Sequence, residues 1–235
     1  MALPKINNLP KYEIVIPSMQ QKVRFRPYLV KEEKVLMIAM ESQDQKQILS
    51  AVVDTILSCI EEPIQRSKLT TFDVEYLFTQ IRSKSVGEIA TIGIKCTSCE
   101  HLNKVEVKLD DIKIDVPKVD TTFEIQRGIS LKMKWPVYDS MMTMASMRDA
   151  SNTQQTFEMI GACIDSIITE EEVHSLKDES KEEVQEFLES LSSVAFKKIR
   201  DFIDAMPRMK HDTHFTCEKC KHENNIQLQG INDFF

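Results

Sequence analysis

Cys96-Thr97-Ser98-Cys99-Glu100-His101-Leu102-Asn103-Lys104-Val105-Glu106-Val107 returns near the end of the chain as Cys217-Glu218-Lys219-Cys220-Lys221-His222-Glu223-Asn224-Asn225-Ile226-Gln227-Leu228. Both stretches spell Cys-x-x-Cys-x-His-x-Asn and then place two apolar residues two positions apart, the period of a strand. Two thiols three residues apart on a tight turn between strands can grip a tetrahedral metal from one side, while turn amides hydrogen-bond the sulfurs. Two such knuckles complete a four-thiolate set of Cys96, Cys99, Cys217 and Cys220, and the expected occupant is one structural Zn2+. A closed set has no open position for water or substrate, so it pins structure and catalyses nothing. The competing readings of the same residues are a redox Cys-x-x-Cys and two separate mixed Cys/His sites. His101 and His222 follow their second cysteine closely, and polar cover over the sulfurs is the role expected of them; the sequence leaves open whether either replaces a cysteine.

Working outward, the remaining cysteines, Cys59 and Cys163, lie in apolar helical patterns, where free cysteine acts as a small buried hydrophobe. Residues 1–10 show no basic region followed by an apolar run, and no stretch approaches the roughly 18 apolar residues of a membrane span, so a cytosolic origin with no membrane contact is expected. In a reducing cytosol paired cysteines favour metal over disulfide. A net charge of −7 argues against a general grip on nucleic acid. With no Gly-x-Gly-x-x-Gly and no Gly-rich phosphate loop, the common nucleotide-site cues are missing too.

The period of the apolar residues predicts an α+β chain. Residues 12–16 and 22–26 alternate around a Pro17-Ser18 turn and predict a hairpin; 31–40, 45–60 and a stretch from Thr70 to near Ser83 predict three helices. From Val86 the period falls to two through the first knuckle and through 122–135 around Arg127-Gly128. Helical spacing returns over 137–147, 153–168 behind Ser151, weakly over 170–176, and over 181–206, where Ser180 and Glu183 form a capping box and Pro207 stops the helix. The expected division is a helical N-terminal lobe (1–85), a β region with the first zinc-ribbon-like knuckle (86–136), a helical insertion (137–210) and a C-terminal knuckle completing the site (211–235).

Other polar clusters read as structure. Asp110, Asp111 and Asp115 sit at a strand end, and Glu170 to Glu172 at an expected helix start, where the dipole favours acids. His211 and His214 are assigned to the loop before the second knuckle. Met141, Met142, Met144 and Met147 are expected to pack, and Phe234-Phe235 to insert into a neighbouring subunit or pack on the knuckle. No nucleophile with its base is visible, so no enzyme is expected.

Pro17-Ser18, then Lys22-Val23-Arg24-Phe25-Arg26-Pro27-Tyr28-Leu29-Val30-Lys31-Glu32-Glu33-Lys34, then Asp73-Val74-Glu75-Tyr76-Leu77-Phe78 with Ile81-Arg82-Ser83-Lys84-Ser85-Val86-Gly87-Glu88, then the first knuckle, occur in this order. That order resembles the baseplate hub and hub-assembly proteins of T-even-type contractile-tailed bacteriophages, mainly over 12–116. The resemblance implies a phage protein made in the host cytoplasm that binds other baseplate hub proteins, with retention in the virion tail and oligomeric state left open. The alternative, motivated by the knuckles alone, is a zinc-ribbon module that binds nucleic acid. Arg24, Arg26 and Arg82 are expected to be solvated or paired locally.

Overall fold

Alternation sets the first hairpin. Strands β1 (Tyr12–Ile16) and β2 (Gln21–Phe25) pair antiparallel, bury Ile14, Ile16, Val23 and Phe25, and turn Glu13, Lys22 and Arg24 outward. The computed structural model describes residues 9–112, 114–147 and 151–229, so the expectation placed on Phe234-Phe235 lies outside the described residues. The chain divides into two units: residues 1–66, 72–115 and 208–235, and residues 67–71 and 116–207.

The first unit continues with α1 (Val30–Glu41), α2 (Gln45–Cys59) and α3 (Thr71–Val86). Helix α1 starts without a Ser or Asp cap; the Leu29 amide instead donates to Glu32 Oε2 at 2.8 Å. Arg26 holds the other oxygen of that carboxylate at 2.8 Å and donates to the Ser58 carbonyl at 3.0 Å, joining β2, α1 and α2. Helix α2 is capped by Asp44, which accepts from the Lys46 amide at 2.8 Å. Its last turn buries Cys59 fully, and burial pushes that thiol up to about 11, as expected of a core cysteine.

Several residues that carry the family resemblance are long-range tethers in this unit. Asp73, fully buried, accepts from Ser18 N at 2.9 Å and from Ser18 Oγ at 2.5 Å, fixing the β1–β2 turn to the start of α3. Tyr28 N donates to Ser85 Oγ at 2.9 Å. Ser83 and Lys84 both donate to Asp110, and Lys84 also reaches Glu88. Burial raises the Asp110 carboxyl, but Lys84 and Ser83 outweigh it and hold it below the usual range, so this acid serves the fold. Arg24 pairs with Glu61 and Glu62.

The Arg26–Glu32 pair gives a measurable prediction. Burial raises the Glu32 carboxyl, yet Arg26 and the Leu29 amide overcome that and hold it below the ordinary glutamate range. Its stabilisation is therefore present above the unfolded pKa and is lost as pH falls through the lower folded value. Arg26→Met should cost about 2 kcal/mol at neutral pH in urea denaturation, less than a fully buried pair because Arg26 stays 22% exposed. The cost should begin to shrink as pH falls below the unfolded glutamate value of about 4.3 and should vanish only once the folded Glu32 is itself protonated, at a lower pH; a constant cost down to pH 3 would assign it to another group.

Two further hairpins complete the unit: β3 (Ile89–Lys95) with β4 (Leu102–Lys108), and β9 (Lys210–Thr216) with β10 (Glu223–Gln229). Each of the four strands is displaced from its counterpart by the same 121 residues, so the repeat seen in the knuckles extends through both hairpins in one register. His211 and His214 lie in β9, not in a loop. Ala90, Ile94, Val105, Val107, Leu109, Met209 and Leu228 share one core, flanked by Ile92, Phe215 and Ile226.

The second unit holds a four-stranded antiparallel sheet, β5 (Thr122–Gln126), β6 (Ile129–Met133), β7 (Ile164–Thr169) and β8 (Val173–Ser175) in that order, with α4 (Tyr138–Ala145), α5 (Asn152–Cys163), α6 (Lys181–Ser190) and α7 (Ser193–Asp204). The methionines of α4 and Met147 are half-buried. Three sequence expectations change here. The helix expected over 153–168 ends at Cys163, and Ile164-Asp165-Ser166-Ile167-Ile168-Thr169 forms a strand with neighbours on both sides, which hides the alternation of a half-buried strand. The weak helix over 170–176 is the turn and strand β8, so Glu170 to Glu172 are turn acids and not helix-start acids. The single helix over 181–206 breaks at Leu191, which is extended; Ser192 then caps α7 by accepting from the Ala195 amide at 3.2 Å.

Apolar residues from both sides of that break reach one core, while Val194, on the stripe of the expected single helix, is left 70% exposed. Leu188, Ile199 and Phe202 join Leu131, Met133, Ile160, Cys163 and Ile164 in one core, and Trp135 stacks on Phe202 with centroids 4.3 Å apart. Burial pushes the Cys163 thiol up to about 12, the second of the two expected core cysteines.

Candidate metal centre

Each knuckle is a tight turn closed by its own backbone. The Cys96 amide donates to the His101 carbonyl at 2.9 Å and the Glu100 amide to the Cys96 carbonyl at 3.0 Å; Cys217, His222 and Lys221 repeat both bonds at the same lengths. The turn requires a left-handed residue before the histidine, supplied by Glu100 (φ 56°) and Lys221 (φ 62°). The histidines thus contribute carbonyls to the turn, and their rings are not members of the thiol cluster.

The two turns bring all four sulfurs together. Cys96 Sγ lies 3.6 Å from Cys220 Sγ and Cys99 Sγ 3.7 Å from Cys217 Sγ, and all four fall within 4.8 Å of one another. A disulfide needs about 2.05 Å, so these are free thiols. A tetrahedral ion with sulfur at about 2.3 Å demands sulfur–sulfur edges of about 3.8 Å, close to the distances observed. The donor set therefore fits a tetrathiolate ion. Four cysteines near one another can bind a metal, and among the described residues no other group of three or more Cys, His, Asp or Glu side chains converges in this way.

Local amides favour the thiolate. Cys217 is held well below the usual thiol range, first by the Cys220 amide. Burial raises Cys96, but the amides of Cys99 and Ser98 and the side chain of Asn224 bring it down. The His101 amide lowers Cys99, yet crowding by the sulfurs of Cys220, Cys217 and Cys96, together with burial, drives it up. A bound cation favours the deprotonated form of each thiol it touches.

Asn103 and Asn224, each 2% exposed, tie one knuckle to the other. Asn103 Oδ1 accepts from the Glu218 amide at 2.9 Å, and Asn224 Oδ1 accepts from the Thr97 amide at 2.9 Å. Thr97 and Glu218 hold the same place in their knuckles, so the exchange is reciprocal. The amide nitrogens of the two asparagines donate back to the His101 and His222 carbonyls at 2.8 and 3.0 Å. Both asparagines belong to the sequence repeat, and their identical spacing after the cysteines is the signal that marks them.

No helix among the described residues is long and apolar enough to cross a membrane. A family model described as T4 bacteriophage base plate protein matches residues 9–235. Comparison with curated proteins gives no match, and neither does comparison with solved structures.

Proposed function

The chain belongs to the T4 bacteriophage base plate protein family, and on that premise we propose that it is a non-enzymatic structural or assembly component of the baseplate hub that acts by binding other hub proteins. The family match over nearly the whole chain carries this reading. The site chemistry supports it. Cys96, Cys99, Cys217 and Cys220 would hold one structural zinc, which supplies a crosslink between the β3–β4 and β9–β10 hairpins and offers no open position for a reacting molecule. Zinc is the choice because four soft thiolates at tetrahedral spacing suit it and its bonds need no redox partner.

Assembly would take place in the host cytoplasm, with the virion baseplate as the destination. Co-expression with hub proteins of the same phage should give a stable complex in gel filtration. Monomeric behaviour with every hub protein would defeat the proposal, and a strongly salt-dependent shift of RNA or DNA would replace it with the nucleic-acid reading.

A further inference from the structure

A groove of about 650 Å³ opens between α5 and α6. Its floor is apolar, formed by Phe157, Leu176, Val184 and Leu188. Around it stand Glu158, Glu179, Glu182 and Glu189, and the described residues that line it include no lysine or arginine. We propose that this groove docks a basic amphipathic segment of another baseplate protein, its apolar side on the floor and its Lys or Arg side chains against the glutamates. The inference rests on the reading that the protein works by binding other baseplate proteins.

Gly161 is the second observation. It lies within α5 and lines the groove, where glycine costs a helix about 1 kcal/mol relative to alanine. The protein's own packing does not require it. A Cβ at this position would meet only Val184 Cγ1 at 3.7 Å, an ordinary contact. The missing side chain leaves the backbone of α5 bare toward the groove, which permits close approach by a docked segment. Charge selects among occupants. A second copy of this chain carries a net charge of −7 and would bring like charges to an acidic rim, whereas a basic segment complements it.

The test uses the full-length protein and a fluorescein-labelled Leu/Lys amphipathic helix of about five turns as the probe, with its Leu/Glu counterpart as control. Fluorescence anisotropy should show binding of the Leu/Lys helix alone. Gly161→Leu should fill the groove, leave the melting temperature unchanged or higher, and weaken binding roughly tenfold or more. Glu182→Lys with Glu189→Lys should weaken it similarly, whereas Glu13→Lys with Glu106→Lys, an equal charge change in the other unit, should not. No binding, equal binding to the Gly161→Leu variant, equal binding of the Leu/Glu helix, or equal loss from both charge pairs would overturn the proposal. So would a wild-type dimer that Gly161→Leu breaks, since the occupant would then be a second copy. A co-expressed hub complex that forms and ignores Gly161→Leu would remove the groove and leave the hub role standing; a complex that never forms would remove the hub role itself.

Discussion

Cys217→Ser is expected to release the metal and free the C-terminal hairpin. In native mass spectrometry the wild-type chain should carry about one zinc, and the variant none after dialysis against a chelator. Amide exchange over β9 and β10 should accelerate by several orders of magnitude, because structural zinc in small thiolate sites contributes on the order of 10 kcal/mol. Besides the metal, the hairpin is held by the asparagine bonds between the knuckles and by a thin apolar face. Its two strands read Lys-His-Asp-Thr-His-Phe-Thr and Glu-Asn-Asn-Ile-Gln-Leu-Gln, and of their apolar side chains only Leu228 is fully buried, with Phe215 and Ile226 partly so. A two-stranded hairpin this polar is marginal alone. The unit of residues 67–71 and 116–207 has its own core around Leu131, Ile164 and Phe202 and should keep its protection. Full protection of residues 210–229 in zinc-free protein would show that packing, not metal, docks the tail.

The contrast between the two hairpins explains how much of the fold could be read from the sequence. Strands β3 and β4 carry Ile92, Ile94, Val105 and Val107 in strict alternation, and the first hairpin does the same with Ile14, Ile16, Val23 and Phe25; their boundaries fall within a few residues of expectation. Strands β9 and β10 could be placed only through their likeness to the first knuckle. Where burial is two-sided the periodicity fails. Ile164, Ile167 and Ile168 lie three and four residues apart, as on a helix face, yet they belong to β7 between two partner strands. The break between α6 and α7 is invisible to periodicity for a related reason: the apolar stripe runs through Leu191 on both sides, and only the serines at 190, 192 and 193 hint at a new cap.

The cysteine cluster was legible because metal chemistry needs particular residue types at particular spacing. The acidic groove was not. Its glutamates come from α5, α6 and the segment preceding α6, and nothing in their order shows that α5 and α6 lie side by side. The family signature was visible as a string of residues, and the structure gives part of it a physical meaning. Ser18 with Asp73, Tyr28 with Ser85, and Lys84 with Asp110 join distant segments of one unit, so substituting one partner leaves a buried or half-buried group without its mate.

Asn224→Ala should damage the metal centre although it leaves all four cysteines in place. Asn224 Oδ1 accepts from both Thr97 N and Thr97 Oγ1 at 2.9 Å, while its Nδ2 donates to the His222 carbonyl at 3.0 Å and faces Cys96 Sγ at 3.6 Å. Alanine removes the acceptor of the Thr97 amide and hydroxyl, while the His222 carbonyl keeps its bond from the Cys217 amide; at about 0.5–1.5 kcal/mol for each hydrogen bond lost, a loss of about 2 kcal/mol is expected in urea denaturation of the zinc-loaded protein. Polar groups that support metal ligands are typically worth 10- to 100-fold in affinity, and chelator competition should show a drop of about that size. Asn103→Ala is the matched control. It loses the Glu218 amide and the His101 carbonyl, and no hydrogen bond from Asn103 to a sulfur is seen, so its stability cost should be similar and its effect on metal affinity smaller. The double variant should cost less than the sum, because both asparagines join the same two knuckles and the first loss loosens the partner of the second. Wild-type zinc affinity in Asn224→Ala would mean that the sulfurs are positioned by the turns alone and that the reciprocal asparagines serve only the packing of the hairpins.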